Sequence, residues 1–250
     1  MKKILAILMA TLIFGVCVCT SFAEDIPISE YVIMPGLGTI RNLSDNGILK
    51  ASSWALEELK KADELKLIVE KIKNADMTQN ITREEFAAVC VMAWEKLSGT
   101  DAVVPETNPF SDCSDEYVLK AYNLAIIQGV SETEFAPEEF LTREQAATMI
   151  ARLFSVFKDL DYQIGGLPHG DGPLYYNIKE SARTEGNAWS AAEVFADDAQ
   201  ISSWAKPAVC FACLNGITNG VGDNNFAPQG TLTREQAVLL ALRLVELLLA

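Results

Sequence analysis

Leu232-Thr233-Arg234-Glu235-Gln236-Ala237, Leu141-Thr142-Arg143-Glu144-Gln145-Ala146-Ala147 and Ile81-Thr82-Arg83-Glu84-Glu85-Phe86-Ala87-Ala88 are three versions of one phrase. A Thr ahead of an apolar-periodic run is a favoured helix N-cap, because its hydroxyl accepts from a backbone N–H that the first turn leaves unpaired. The residue three positions on is Gln236, Gln145 or Glu85, whose side chain can reach back to the Thr N–H and complete a capping box. Each phrase therefore predicts the start of a helix. Phe86, Val89, Ala93 and Leu97 follow at helical spacing, as do Ala146, Met149, Ile150, Leu153 and Phe154, and Ala237, Leu240, Ala241 and Leu244. These stripes read as core.

Working upstream, a second apolar-periodic stretch precedes each capped helix, over Trp54 to Lys66, Tyr117 to Ile127 and Trp204 to Leu214, with Pro207 near the start of the third. Gly129-Val130 leads to Phe135-Ala136-Pro137 as Gly220-Val221 leads to Phe226-Ala227-Pro228, and 13 residues separate Gly from the capping Thr in both. Gly129 and Gly220 fit a helix exit that needs a left-handed residue or a close backbone approach. The first copy lacks both the Gly and the Phe-x-Pro loop. One such helix-loop-helix unit cannot bury its apolar faces alone, so an all-α architecture is expected, with three units packed around a shared core.

Outside the copies, Lys2 and Lys3, the apolar run Ile4 to Cys19 and the exit Ser21-Phe22-Ala23 predict a signal peptide over 1–23 and an exported mature chain. Its apolar run is short for a membrane span, so no span is expected once it is cleaved. Residues 24–45, with Pro27, Pro35, Gly36 and Gly38, read as a linker or N-terminal arm. The copies then occupy 46–100, 101–156 and 193–250. The capped Arg residues are 60 apart and then 91 apart, which places an insertion at 157–192, rich in Gly and Pro around His169.

The whole chain has 20 basic and 34 acidic residues, and losing Lys2 and Lys3 with the leader makes the remainder still more acidic. That balance argues against a nucleic-acid partner and against attraction to anionic lipid. Cys90, Cys113, Cys210 and Cys213 lie beyond the leader; Cys210 and Cys213 have the spacing of half a metal site, but no second pair exists and His169 is the single histidine. They read as small buried residues. Catalysis is not expected: His169 near Asp171 has no nucleophile motif, and Asp197 with Asp198, or Asp159 with Asp161, reads as soluble surface. No cofactor is implied.

Taken together, the Thr-Arg-Glu helix start, the Trp54-Ala55 and Trp204-Ala205 pairs, the Gly exit and the Phe-x-Pro loop resemble the S-layer homology family, over about 50 to 98, 109 to 155 and 194 to 248. The resemblance implies a pseudo-threefold helical bundle at the cell wall or S-layer, with grooves between copies that bind secondary cell-wall polysaccharide, often through a pyruvylated terminal sugar. By motif position it implies ligand-binding roles for Arg83, Arg143 and Arg234. A guanidinium is a planar fork suited to a ketal carboxylate, and a helix N-terminus adds free N–H groups. Trp54 and Trp204 offer a face for a sugar ring, and Gly129 and Gly220 admit backbone approach. Arg234 is the leading candidate, since the third copy alone carries Trp204, Gly220, Phe226 and Pro228 together. The second copy has Cys113 in place of the Trp. Two alternatives stand beside this: an envelope assembly protein that contacts other surface proteins, and a small wall hydrolase.

Overall fold

A computed structural model describes residues 50–158 and 195–250. The leader, the N-terminal arm and nearly all of the insertion lie outside the described residues, as do His169, Asp159 and Asp161. The described chain is mostly helical, with isolated backbone bridges in place of any sheet or barrel among those residues. Its helices are α1 (Leu56–Glu64), α2 (Glu70–Lys73), α3 (Arg83–Ser98), α4 (Glu116–Asn123), α5 (Arg143–Phe157), α6 (Lys206–Leu214) and α7 (Arg234–Leu249).

The three long helices begin where the Thr phrases place them. Thr82, Thr142 and Thr233 each accept from the third helical N–H, at 3.2, 3.4 and 3.3 Å. Glu85, Gln145 and Gln236 each accept from the capping Thr N–H, at 3.0, 3.1 and 3.2 Å. All three boxes are complete. Removing one hydroxyl strands a donor in the first turn, so Thr142→Ala is expected to lower unfolding free energy by about 1 kcal/mol, read as a lower urea midpoint with an unchanged slope.

Of the short upstream helices, α1 and α6 start later than the apolar pattern suggests, while α4 starts one residue earlier and ends sooner, at Asn123. Trp54 and Trp204 lie in the turns before α1 and α6, and Pro207 sits in the first turn of α6, where a missing N–H costs little. The left-handed residues at the exits are Lys66, Ala125 and Gly216, with φ of 61°, 59° and 70°. Gly129 and Gly220 are therefore not the helix exits; they lie four residues farther on, inside the loops.

The sequence copy is not the packing unit. The short helix of each copy packs on the long helix of the preceding one: α4 on α3, α6 on α5 and, closing the circuit, α1 on α7. The three long helices also pack on one another. Their apolar stripes meet in a single core that includes Phe86, Phe135, Phe211 and Phe226. At its end the residues just before each Thr form a ring of backbone bonds: Ile81 N donates to Leu232 O at 2.9 Å, Leu232 N to Leu141 O at 3.4 Å, and Leu141 N to Ile81 O at 3.1 Å. None of these three bonds lies within a copy.

Candidate functional site

The same circular offset builds the surroundings of each phrase Arg. Arg83 N and Glu84 N at the start of α3 donate to Glu139 O and Pro137 O of the second copy. Arg143 N and Glu144 N of α5 donate to Gly230 O and Pro228 O of the third. Arg234 N and Glu235 N of α7 donate to Gln79 O and Met77 O of the first. Each helix N-terminus thus holds the loop of the following copy. The Arg of one copy meets the loop of the next.

Arg83 and Arg143 are seated alike. Arg83 Nε donates to Phe135 O at 2.9 Å and Nη2 to Gln128 O at 3.2 Å, with the guanidinium carbon 4.8 Å from the centre of the Phe135 ring. Arg143 Nε donates to Phe226 O at 2.7 Å and Nη2 to Thr218 Oγ1 at 3.4 Å, with Phe226 beneath at 5.1 Å. Both residues are 8% exposed, yet among the described residues neither has a carboxylate within ion-pair distance. Desolvation lowers the pKa of both guanidinium groups, against the longer-range attraction of Glu139 and Asp112 on Arg83 and of Asp197 on Arg143, and an Arg stays charged in a protein. These are buried cations whose nearest carboxylates act from beyond ion-pair distance, an arrangement that a directly contacting anion would stabilise further.

Each loop is held by an acid, Asp112, which the sequence reading passed over, and Asp197, which it took for soluble surface. Asp112 accepts from Phe135 N and Ala136 N at 2.9 and 2.7 Å, and Asp197 from Phe226 N and Ala227 N at 2.8 Å each. Those hydrogen bonds, against some desolvation, hold Asp112 below the usual carboxylate range. Asp197 is buried, and Asp198 pairs with Lys206 at 2.7 Å, so the two acids are neither a solvated surface pair nor a facing catalytic pair. The shared signal was Phe110-x-Asp112 and Phe195-x-Asp197. Gly129 and Gly220 close these loops: a Cβ on Gly129 would lie 2.4 Å from Ser131 O, and one on Gly220 2.3 Å from Asn225 O. Beside the Gly129 loop lies an open groove of about 570 Å³ lined in part by Tyr122, Gln128 and Ser131, within the size range of small-ligand pockets. The enclosed space behind Arg143 is only about 10 Å³, so a ligand there must approach from the outer side.

Arg234 is placed differently. Its Nε lies 3.0 Å from both carboxylate oxygens of Glu85, its Nη2 is 2.7 Å from Oε1, and its Nη1 donates to Asp76 O at 3.1 Å. The completeness of the third copy is no guide to this site, because Arg234 faces the loop of the first copy, which has neither the Gly nor the Phe-x-Pro. There Asp76, despite desolvation, is held at about 2 by bonds from Lys50 and Thr78.

Residues 110–147 and 194–238 match the S-layer homology domain family. These two regions are similar to S-layer homology domains. Similar proteins include an endoglucanase of Bacillus sp. (strain KSM-635), 31% identical over 56% of this chain and 16% of its own. The surface-layer 125 kDa protein of Lysinibacillus sphaericus is 26% identical over 69% of this chain and 12% of its own. A cell surface protein of Thermoanaerobacter kivui is 26% identical over 55% and 15%. The chain spans less than a fifth of the length of each of these relatives. S-layer homology domains are cell-wall anchoring modules, and the chain is a protein associated with the cell surface.

Within the three copies, the Glu after each Arg ties neighbouring copies together. Glu144, 3% exposed, accepts from Ser202 N at 3.0 Å, Ser202 Oγ at 2.8 Å and Gln229 Nε2 at 2.8 Å. Glu235 accepts from Ser52 N at 2.8 Å. Glu84 has Cys113 where those copies have Ser202 and Ser52, so by its contacts Cys113 replaces that Ser and not the Trp as expected from the sequence; Glu84 also pairs with Lys71, which bonds Asp115 at 2.8 Å. These contacts place the Trp residues. Trp204, two positions from Ser202, belongs to the Arg143 junction, and Trp54, two from Ser52, to the Arg234 junction. They are 44% and 56% exposed, well outside the core. Burial pushes the Cys210 thiol up to about 12 and the Cys90 thiol higher still, so both stay protonated and unreactive at neutral pH.

Proposed function

We propose that the chain is an exported, non-catalytic anchoring module that binds secondary cell-wall polysaccharide at the junctions between its copies, through a sugar bearing a carboxylate such as a pyruvate ketal. The observation that carries this is the pair of buried guanidinium groups, Arg83 and Arg143, each seated on a Phe ring without a carboxylate in contact. A ketal carboxylate supplies a directly contacting counter-charge and accepts from the remaining N–H donors of the fork. The copies form a pseudo-threefold bundle in this reading, supported by the ring of bonds through Ile81, Leu141 and Leu232. Arg143 leads, because its junction alone combines the Gly220 loop, Phe226 and an exposed Trp204 for stacking on a sugar face. Arg83 with Gln128 and Gly129 forms a second site, with Tyr122 in the adjoining groove.

Sedimentation with purified wall sacculi tests it. The protein is expected to co-sediment with intact sacculi and to stay in solution with sacculi chemically stripped of secondary polysaccharide. Equal retention on stripped walls overturns the glycan reading in favour of a peptidoglycan or protein partner, and release of reducing ends overturns the non-catalytic one.

A further inference from the structure

Among the described residues two Asn-Gly pairs follow α6, Asn215-Gly216 and Asn219-Gly220. Such a pair carries its own chemistry, because a glycine has no side chain to keep its backbone nitrogen away from the preceding amide. The two are held differently. Asn215 is half-buried, its Nδ2 donates to Phe211 O at 2.8 Å, and Gly216 N donates to Cys213 O at 2.9 Å. Both of its reacting groups are thus tied to the end of α6. Asn219 is exposed, and among the described residues its side chain makes no hydrogen bond. Gly220 N has only a long bond to Thr218 Oγ1, at 3.4 Å. That hydroxyl is shared, since it also accepts from Arg143 Nη2 at 3.4 Å. A bulkier and slower neighbour does not fit in place of Gly220, where a Cβ would lie 2.3 Å from Asn225 O. The tight fit that closes the loop therefore keeps the reactive pair in place.

We propose that Asn219 is a site of spontaneous deamidation, which turns a neutral side chain at the edge of the Arg143 junction into a carboxylate. Solvent base takes the proton from Gly220 N, and that nitrogen attacks Asn219 Cγ. The N–Cγ bond forms, the Cγ–Nδ2 bond breaks, and ammonia leaves with a proton from water. Water then opens the cyclic imide at either carbonyl, giving aspartate or isoaspartate, so that amide plus water becomes acid plus ammonia. The functional half of this inference rests on the glycan reading above. Residue 219 follows Thr218, a partner of Arg143, so its new charge offers that guanidinium an internal anion and opposes an arriving carboxylate. Counted from Gly129 and Gly220, the second copy has Gln128 at this position, and a glutamine closes the corresponding larger ring far more slowly. Ageing of the protein thus acts on the Arg143 junction and spares the one at Arg83.

Peptide mapping by mass spectrometry, on the folded chain kept in warm, mildly alkaline buffer, tests the chemistry. Conversion is expected severalfold faster at Asn219 than at Asn215, and at similar rates for the two in a denatured sample. Equal rates in the folded chain, or a faster Asn215, overturn the proposal. Binding to intact wall sacculi tests the consequence. N219D, the aspartate product, is expected to bind about threefold more weakly than wild type at low salt, with the gap closing as salt rises. N219Q keeps an amide that cyclises slowly, and is expected to match fresh wild type and to hold that affinity through the incubation. Urea midpoints establish that both variants are folded. A folded N219D that binds as well as wild type overturns the link to attachment while the glycan reading stands. Wild type that stays in solution with intact sacculi overturns the glycan reading, and the rates at Asn219 and Asn215 still decide the chemistry.

Discussion

Arg143→Met is expected to weaken binding to wall polysaccharide by roughly 30-fold or more while leaving the protein almost as stable as before. The loss follows from truncating one side of a desolvated charge pair, which costs at least about 2 kcal/mol. The stability half of the result is what separates a ligand site from a scaffold role. Arg143 gives the folded protein two hydrogen bonds, to Phe226 O and Thr218 Oγ1, but holds a positive charge at 8% exposure with no carboxylate in contact. Met relieves that desolvation and fills similar volume over the Phe226 ring, at the expense of the bond to Phe226 O. The two changes offset, and the urea midpoint should move by the equivalent of less than about 1.5 kcal/mol. If Arg143 served only to pin the loop, affinity and stability would fall together. Binding measured by calorimetry on protein whose urea curve has been recorded decides between them.

The largest expected loss of stability lies at Gly220. A Cβ there would sit 2.3 Å from Asn225 O and 2.8 Å from the Phe195 ring, on a backbone with φ of +80°. Left-handed strain contributes roughly 1 kcal/mol and the forced displacement roughly 1–3 kcal/mol. Gly220→Ala is thus expected to lower stability by about 2–4 kcal/mol. Two companions separate the terms: Gly216 has φ of +70° with nothing within 4 Å, whereas Gly129 has a Cβ position 2.4 Å from Ser131 O without a positive φ. Gly216→Ala reports strain alone and Gly129→Ala crowding alone. A thermal midpoint for Gly220→Ala no lower than that of Gly216→Ala contradicts the account.

The local half of this protein was legible in its sequence. Thr82, Thr142 and Thr233 with Glu or Gln three residues on specify helix starts through bonds that span four residues, and the apolar stripes behind them become the core. The Phe-x-Pro loops were also visible, although their anchor Asp112 was passed over and Asp197 was taken for surface. The other half depends on which copy meets which. No local pattern says that Arg143 faces the Gly220 loop, or that α1 packs on α7, because those pairings are set by backbone bonds among Ile81, Leu141 and Leu232, residues 60 and more apart in the chain. Judging each copy by its own completeness therefore favoured Arg234, whereas each phrase Arg meets the loop of the following copy. Glu85 illustrates the same point: as a capping residue it looked equivalent to Gln145 and Gln236, and only its position against Arg234 makes its charge matter.

The ring of bonds through Ile81, Leu141 and Leu232 also bears on how such a protein can change in length. A stack of repeats with free ends can gain or lose a member and keep the same kind of interface at every remaining joint. Here each member is both first and last, so removing one opens two joints and leaves the circuit unable to close, and adding one leaves it no place to enter. Gene duplication acting on this chain should proceed in whole sets of three.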